Sequence, residues 1–101
     1  MMSECKSFQD KIGKWANDTF GVGEQTSRGV YNHLLSEIDE LGWGYKPEEA
    51  ADCFLLLLQL AHEQKFDLFA EAKKKHQINT KRKWGKPDAY GVIEHIRQEK
   101  P

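Results

Sequence analysis

The stretch SEIDELGWGYKPEEAADCFLLLLQLA, residues 36–61, joins a group of acids to the most apolar run of the chain. Its second part, Cys53 to Ala61, contains one polar residue, Gln59. The acids that precede this run are Glu37, Asp39, Glu40, Glu48, Glu49 and Asp52. Leaving water lowers the free energy of apolar side chains, whereas it raises the free energy of carboxylates. The fold must therefore bury the apolar run and still provide a favourable environment for the acids next to it, and the way it does so indicates the function.

Composition limits the classes of protein to consider. A chain of 101 residues, 39% hydrophobic and 31% charged, is typical of a single soluble domain, predicted over residues 1–101. A net charge of −1 does not favour nucleic acid as a partner. The longest apolar run is shorter than the roughly 20 residues of a membrane span, so no membrane association is predicted. Cys5 and Cys53 lack Cys-x-x-Cys spacing, which disfavours zinc and suits a reduced, cytoplasmic setting.

Glycine and proline divide the chain into segments of helical length. We predict helices over about 5–18, 26–41, 47–64 and 67–83, and a short C-terminal helix that begins after Asp88 as its N-cap. Residues 21–29 are predicted to be largely a loop. No run of alternating β-branched residues indicates a strand. The fold class is therefore all-α, a helical bundle of four main helices plus the short C-terminal one.

Apolar spacing predicts which helix faces are buried. The first helix carries Phe8, Ile12 and Trp15 on one face. The second carries a stripe of four apolar residues: Val30, Leu34, Ile38 and Leu41. The third helix is apolar on nearly every side, and so short a chain offers few helices to cover it. We therefore predict self-association, as a homodimer or homotetramer, through the third helix.

Two pairs of acids have i, i+3 spacing on neighbouring helices, Glu37 with Glu40 and Glu49 with Asp52. Asp39 points away from them. Carboxylates gathered at a half-buried place repel one another unless a cation lies between them. Oxygen ligands without cysteine suit Mg²⁺, with Mn²⁺ as the alternative. The simpler interpretation is that these acids are solvated residues of helix starts, a common pattern.

The pattern Glu37-x-x-Glu40 followed by Glu49-x-x-Asp52 resembles the metal-binding signature of the MazG-like, all-α nucleoside triphosphate pyrophosphohydrolases. The segment from Trp15 to Gly21, the pair His33-Leu34 and the tail from Asn79 to Val92 resemble the phage-type dATP/dGTP branch. The resemblance covers about Phe8 to Arg97. Ser36 departs from it, because many members carry a further acid there.

The resemblance implies Mg²⁺-dependent hydrolysis of (deoxy)nucleoside triphosphates, with purine dNTPs as the expected substrates. The products would be the monophosphate and pyrophosphate, in the cytoplasm of a bacterial or phage-infected host cell. It implies that all four acids hold the metal. Glu37 and Glu40 would be catalytic, and Glu40 is our choice for the group that accepts the proton of the attacking water.

Candidate substrate contacts lie outside the acidic pairs. Lys75, Asn79 and Arg82 have i, i+4, i+7 spacing on the fourth helix and suit phosphate oxygens, although a basic helix end is also favourable without function. Trp15 and His33 are candidates for the base, although a tryptophan at helical spacing is more often part of a core.

Three other functions are compatible with parts of this pattern. One is a related phosphohydrolase that acts on another nucleotide pyrophosphate. Another is a non-enzymatic helical module in which the third helix is only a dimer seam. The third, a carboxylate-bridged iron bundle, is disfavoured because neither acidic pair has the Glu-x-x-His form.

Overall fold

The computed structural model describes residues 3–21 and 26–97, which form four α-helices. These are α1 (Glu4–Phe20), α2 (Ser27–Leu41), α3 (Pro47–Glu63) and α4 (Leu68–Thr80). Within the described ranges, β-pairing is limited to an isolated antiparallel bridge between Trp84 and His95. The all-α prediction is confirmed. Residues 22–25 of the predicted loop 21–29 lie outside the described residues.

The helix starts follow from local chemistry. The hydroxyl of Ser3 accepts a hydrogen bond from the Lys6 N–H and caps α1, and Thr26 caps α2 in the same way through the Gly29 N–H. Pro47 occupies the first turn of α3, where its missing N–H costs nothing. Between α2 and α3 runs a short turn in which Tyr45 adopts a φ of 56°. This tight connection brings the end of α2 next to the start of α3.

The chain forms two compact units, Met1–Phe69 and Ala70–Pro101. In the first unit α3 packs against both α1 and α2. Its core cluster consists of Val30, Leu34, Cys53 and Leu56, with Leu41 and Leu60 partly buried against it. The single domain over residues 1–101 stays a prediction. None of the described helices is long and apolar enough to cross a membrane.

The buried face of α1 differs from the predicted one. Gln9, Gly13 and Ala16 are buried, whereas Phe8 and Trp15 are 40% and 53% exposed. The Gln9 amide donates to the Phe66 carbonyl at 2.7 Å and accepts from the Leu68 N–H at 3.1 Å. A Cβ atom at position 13 would overlap the His62 ring of α3. Small and hydrogen-bonding residues thus form this contact, which apolar spacing does not detect.

The buried face of α2 is also shifted from the predicted stripe. Val30 and Leu34 are buried as expected, but Ile38 is 49% exposed. At about 100° per residue, Glu37 falls some 20° from Val30, on the side away from Leu34, whereas Ile38 lies roughly 80° from Val30. The side chain of Glu37 is accordingly only 15% exposed. The inner face of α2 therefore contains a carboxylate where the hydrophobic pattern predicted an isoleucine.

The predicted short C-terminal helix is wrong, since none of residues 88–97 is helical. Asp88 does cap its neighbours, but its carboxylate accepts from the N–H groups of Tyr90 and Val92 at 2.8 and 2.9 Å to close a tight turn. Gly91 lies at a φ of +79°, a left-handed conformation that a helix would not permit. The flanking backbone is paired by a hydrogen bond from the Gly85 N–H to the Glu94 carbonyl. An Asx turn and a helix N-cap share the same sequence signal.

Candidate active site

Three of the four predicted metal ligands meet where α2 approaches α3. Glu37, Glu49 and Asp52 each contribute one carboxylate oxygen, and these three oxygens lie within 4.8 Å of one another. Glu37 comes from the inner face of α2, and the other two acids lie on the first turns of α3. We call these three residues the carboxylate cluster. Its composition, oxygen atoms alone, suits a hard divalent cation.

Glu40, the fourth predicted ligand, lies beside the carboxylate cluster. Its carboxyl group is exposed to solvent and is within hydrogen-bonding reach of Glu49. The structure thus brings Glu40 into contact with one member of the cluster but does not place it among the three converging oxygens.

The cluster is electrostatically unfavourable without a cation. Glu37 Oε2 and Glu49 Oε2 are buried and accept no hydrogen bond. Burial, together with the neighbouring Glu40, raises the pKa of Glu49 above its usual value. Glu37 Oε1 lies 3.2 Å from His33 Nε2, within hydrogen-bonding distance. A divalent cation would give both orphaned oxygens a partner, so the residues present fit Mg²⁺ or Mn²⁺.

Cys53 lies in the core next to the carboxylate cluster, and the charges of the cluster affect its thiol. Burial raises the pKa of its thiol, and the nearby charges of Glu37, Asp52 and Glu49 raise it further. The thiol is therefore held protonated and acts as a small core side chain.

A pocket opens next to the carboxylate cluster and shares two of its residues, Glu37 and Asp52. Its cavity volume is about 220 Å³, and its remaining lining is Trp15, Phe20, His33, Leu55, Leu56 and Gln59. The rings of Trp15 and Phe20 meet edge to face, with centroids 5.5 Å apart. Both predicted base contacts, Trp15 and His33, therefore lie in this pocket.

Sequence reasoning missed four of the residues that line this pocket: Phe20, Leu55, Leu56 and Gln59. Phe20 is the last residue of α1, five residues after Trp15. Gln59 is the single polar residue in the run from Cys53 to Ala61. The position of Gln59 could have been noticed from the sequence, because glutamine is mostly found at exposed positions rather than inside an apolar run.

The predicted phosphate contacts belong to the second compact unit and are described within it. Lys75 is exposed on α4, and Asn79 is half-buried near its end. Arg82 does not share their helix face, because α4 ends at Thr80 rather than near Lys83. Its guanidinium nevertheless donates to the Asn79 side-chain oxygen at 3.2 Å. Trp84 donates to the Asn79 backbone carbonyl at 3.0 Å, which braces the turn that carries Arg82.

Comparison with known proteins identifies a protein family and a similar solved structure. Residues 8–101 match the family model described as dATP/dGTP pyrophosphohydrolase. The fold is similar to that of the cyanophage S-2L MazG-like pyrophosphohydrolase solved with dGDP and three catalytic Mn²⁺ ions per active site. That match has a TM-score of 0.80 and 27% identity, and it covers 96% of this chain and 97% of the cyanophage chain. No curated protein sequence matches the chain significantly.

Proposed function

This chain belongs to the dATP/dGTP pyrophosphohydrolase family, and from that premise we propose which of its residues perform the reaction. The protein is a nucleotide pyrophosphohydrolase that converts deoxynucleoside triphosphates to the monophosphate and pyrophosphate. The observation that carries the assignment of residues is the carboxylate cluster, with two orphaned buried oxygens beside a pocket of about 220 Å³.

We assign metal binding to Glu37, Glu49 and Asp52, with Glu40 as the outer ligand. In this site a bound divalent cation, Mg²⁺ or Mn²⁺, would supply positive charge against the phosphates and lower the pKa of the attacking water. Glu37, Glu49 and Asp52 would hold that charge beside the pocket, which Glu37 and Asp52 also line. Support for Mn²⁺ as an alternative to Mg²⁺ comes from the cyanophage enzyme, which was solved with Mn²⁺.

Glu40 is our candidate general base. It is exposed, whereas Glu37 and Glu49 are half-buried, and it stands next to the converging oxygens rather than among them. Its carboxylate is therefore placed to accept a proton from a water at the edge of the cluster. Glu37 is positioned by its hydrogen bond with His33, and we assign it a catalytic role as the metal ligand on the inner face of α2.

We assign the base to the pocket, and Lys75, Asn79 and Arg82, described within their own unit, stay candidates for phosphate contacts. The exposed ring of Trp15 offers a face for stacking, and His33 offers a ring nitrogen at the boundary with the carboxylate cluster. A cavity of about 220 Å³ is smaller than the ~300–1,000 Å³ typical of drug-sized ligands, and it suits a nucleobase rather than a whole nucleotide. Lys75, Asn79 and Arg82 carry the donors that phosphate oxygens accept from.

The proposal also covers the oligomeric state of the protein and its cellular location. We expect a homodimer or homotetramer that works in the cytoplasm of a bacterial or phage-infected host cell. Support for self-association comes from α3, on which Phe54 and Leu57 stay 44% and 38% exposed although α1 and α2 already cover two of its sides.

A substrate panel tests the proposal directly. The wild-type protein is incubated with each common dNTP and NTP in Mg²⁺ or Mn²⁺, and pyrophosphate and nucleoside monophosphate are measured separately. We expect equal amounts of both products from dATP and dGTP, and none after chelation of the metal. Release of inorganic phosphate instead of pyrophosphate, or no release from any triphosphate, would contradict the proposal and favour the interaction module.

A further inference from the structure

Two aromatic side chains of α1, Trp15 and Phe20, line the pocket beside the carboxylate cluster. Their rings meet edge to face, with an interplanar angle of 83° and centroids 5.5 Å apart. This is one of the arrangements in which aromatic rings attract each other. Trp15 and Phe20 are 53% and 47% exposed, so the core leaves a large part of each ring free. Their contact with each other therefore restricts the orientation of both rings.

The contact between Trp15 and Phe20 is not a by-product of helical spacing. Residues five apart on an α-helix point about 140° away from each other, whereas side chains that meet on one face are three or four residues apart. Phe20 is the last residue of α1, and the N–H of Gly21, the residue after it, closes the helix on the Asn17 carbonyl. Helical side chains lean towards the N-terminus of their helix, which brings the Phe20 ring back over the turn that contains Trp15.

Resting on the proposed function, in which the Trp15 ring stacks on the base, we propose that Phe20 is a positioning residue that holds this ring ready for stacking and thereby favours purine over pyrimidine nucleotides. A perpendicular neighbour fixes the plane of a ring and covers at most one of its faces, so a face remains for the base. A side chain held in its binding orientation before the ligand arrives loses less entropy when the ligand binds. A purine overlaps more of an indole ring than a pyrimidine does, so it depends more on that orientation.

The experiment compares the same substitution at two phenylalanines of α1. Phe20→Leu and Phe8→Leu each remove a ring from a partly exposed position, but Phe8 does not line this pocket. Pyrophosphate release is measured with dATP and with dCTP, and kcat and KM are determined for each. We expect Phe20→Leu to raise KM for dATP roughly threefold to tenfold, the value of an edge-to-face pair, with kcat unchanged and a smaller rise for dCTP. Phe8→Leu should keep both wild-type KM values, and so should Phe20→Tyr, which retains the ring.

A second set of variants separates positioning of Trp15 from direct contact between Phe20 and the base. Trp15→Ala alone should raise KM for dATP by at least roughly fivefold, the effect of losing one base–aromatic stack. If Phe20 acts through Trp15, adding Phe20→Leu to Trp15→Ala should raise KM no further, because the ring that Phe20 holds is gone.

Several results would overturn the inference. Additive effects in the double variant would mean that Phe20 contacts the base itself, and a wild-type KM in either single variant would mean that the ring pair does not serve the base. A fall in kcat, or an equal rise in KM for dATP and dCTP, would indicate general damage to the fold.

The proposed function is tested separately, because it fails only if wild type releases no pyrophosphate from dATP or dGTP. In that event the affinities for dGDP and dCDP, measured by calorimetry in Mg²⁺, replace KM in the same comparison, so that the role of Phe20 is tested without turnover.

Discussion

At the scale of single residues, Glu37 and Asp52 connect the carboxylate cluster with the pocket, since both residues belong to each. Each contributes one of the converging oxygens, so removing its charge leaves a metal ion with too few anionic ligands. We predict that Glu37→Gln or Asp52→Asn lowers kcat more than roughly a hundredfold, because metal assistance is worth several kcal/mol. Helical content measured by circular dichroism should not change.

Asp39→Asn is the matched control for these variants. Asp39 is an exposed acid on α2, two residues from Glu37, and lies outside the cluster. Its variant should keep wild-type activity. Wild-type turnover by Glu37→Gln would show that the metal ligands lie elsewhere.

The raised pKa of Glu49 gives the metal-free protein a defined pH dependence. A carboxyl group with a raised pKa in the folded state stabilises the fold while it is protonated, and this stability is lost as pH rises through the folded pKa. The metal-free protein should therefore lose stability above the usual glutamate value of 4.5. Because Mg²⁺ competes with that proton, it should raise Tm more at about pH 7.5 than at about pH 5.

Thermal unfolding with and without Mg²⁺ measures this effect. A cation at 100 times its Kd stabilises the folded state by about 2.7 kcal/mol, which a Tm scan resolves easily. Glu49→Gln should remove both the pH dependence and most of the shift with Mg²⁺. A shift of equal size at both pH values would contradict the assignment of Glu49 as a ligand.

At the scale of elements, the contact between α1 and α3 depends on Gly13. An alanine inside a helix normally stabilises it by roughly 0.5–1 kcal/mol over glycine. At position 13, however, the added Cβ would overlap the His62 ring, which then has to rotate away from α1 and from Asp10, 3.8 Å from it. We predict that Gly13→Ala is destabilising by about 1 kcal/mol or more, measured by urea unfolding.

Gly29→Ala on α2 provides the comparison. Its added Cβ would lie 3.4 Å from the Thr26 hydroxyl, an ordinary contact, and the capping hydrogen bond of the Gly29 N–H would remain. The substitution should be neutral or stabilising. If both alanine variants gained stability, the close approach of α1 to α3 would be disproved.

The same elements explain which parts of the fold could be predicted from sequence. Helix positions and the acidic pairs follow from caps, proline, glycine and i, i+3 spacing, which are local signals. The buried face of α1 does not, because Gln9 and Gly13 are buried through a hydrogen bond and a close approach to residues more than 45 positions away in the sequence. The pocket residue Gln59 was visible as an interruption of the apolar run, but its place beside Trp15 arises only when α1 packs on α3.

At the scale of the whole molecule, apolar surface remains on α2 and α3 after the first unit has formed. Tyr31, Leu35 and Ile38 are between 42% and 49% exposed, and at about 100° per residue they span only about 60° of the α2 surface. Phe54 and Leu57 give α3 a second such surface. Monomeric soluble proteins seldom expose contiguous apolar faces, and such faces mark interaction sites.

We predict that the protein sediments as a homodimer or homotetramer at micromolar concentration, and that Leu57→Glu shifts it towards the monomer. Glutamate at this position would place a charge in an apolar interface, with a desolvation cost that the dimer cannot offset. Leu35→Glu applies the same test to α2, and Asn32→Glu, which adds a charge at an exposed polar position of α2, should leave the assembly unchanged. A monomer in the wild-type protein would refute self-association. A shift with Leu35→Glu but not with Leu57→Glu would move the interface from α3 to α2, because the two substitutions add the same charge to different helices.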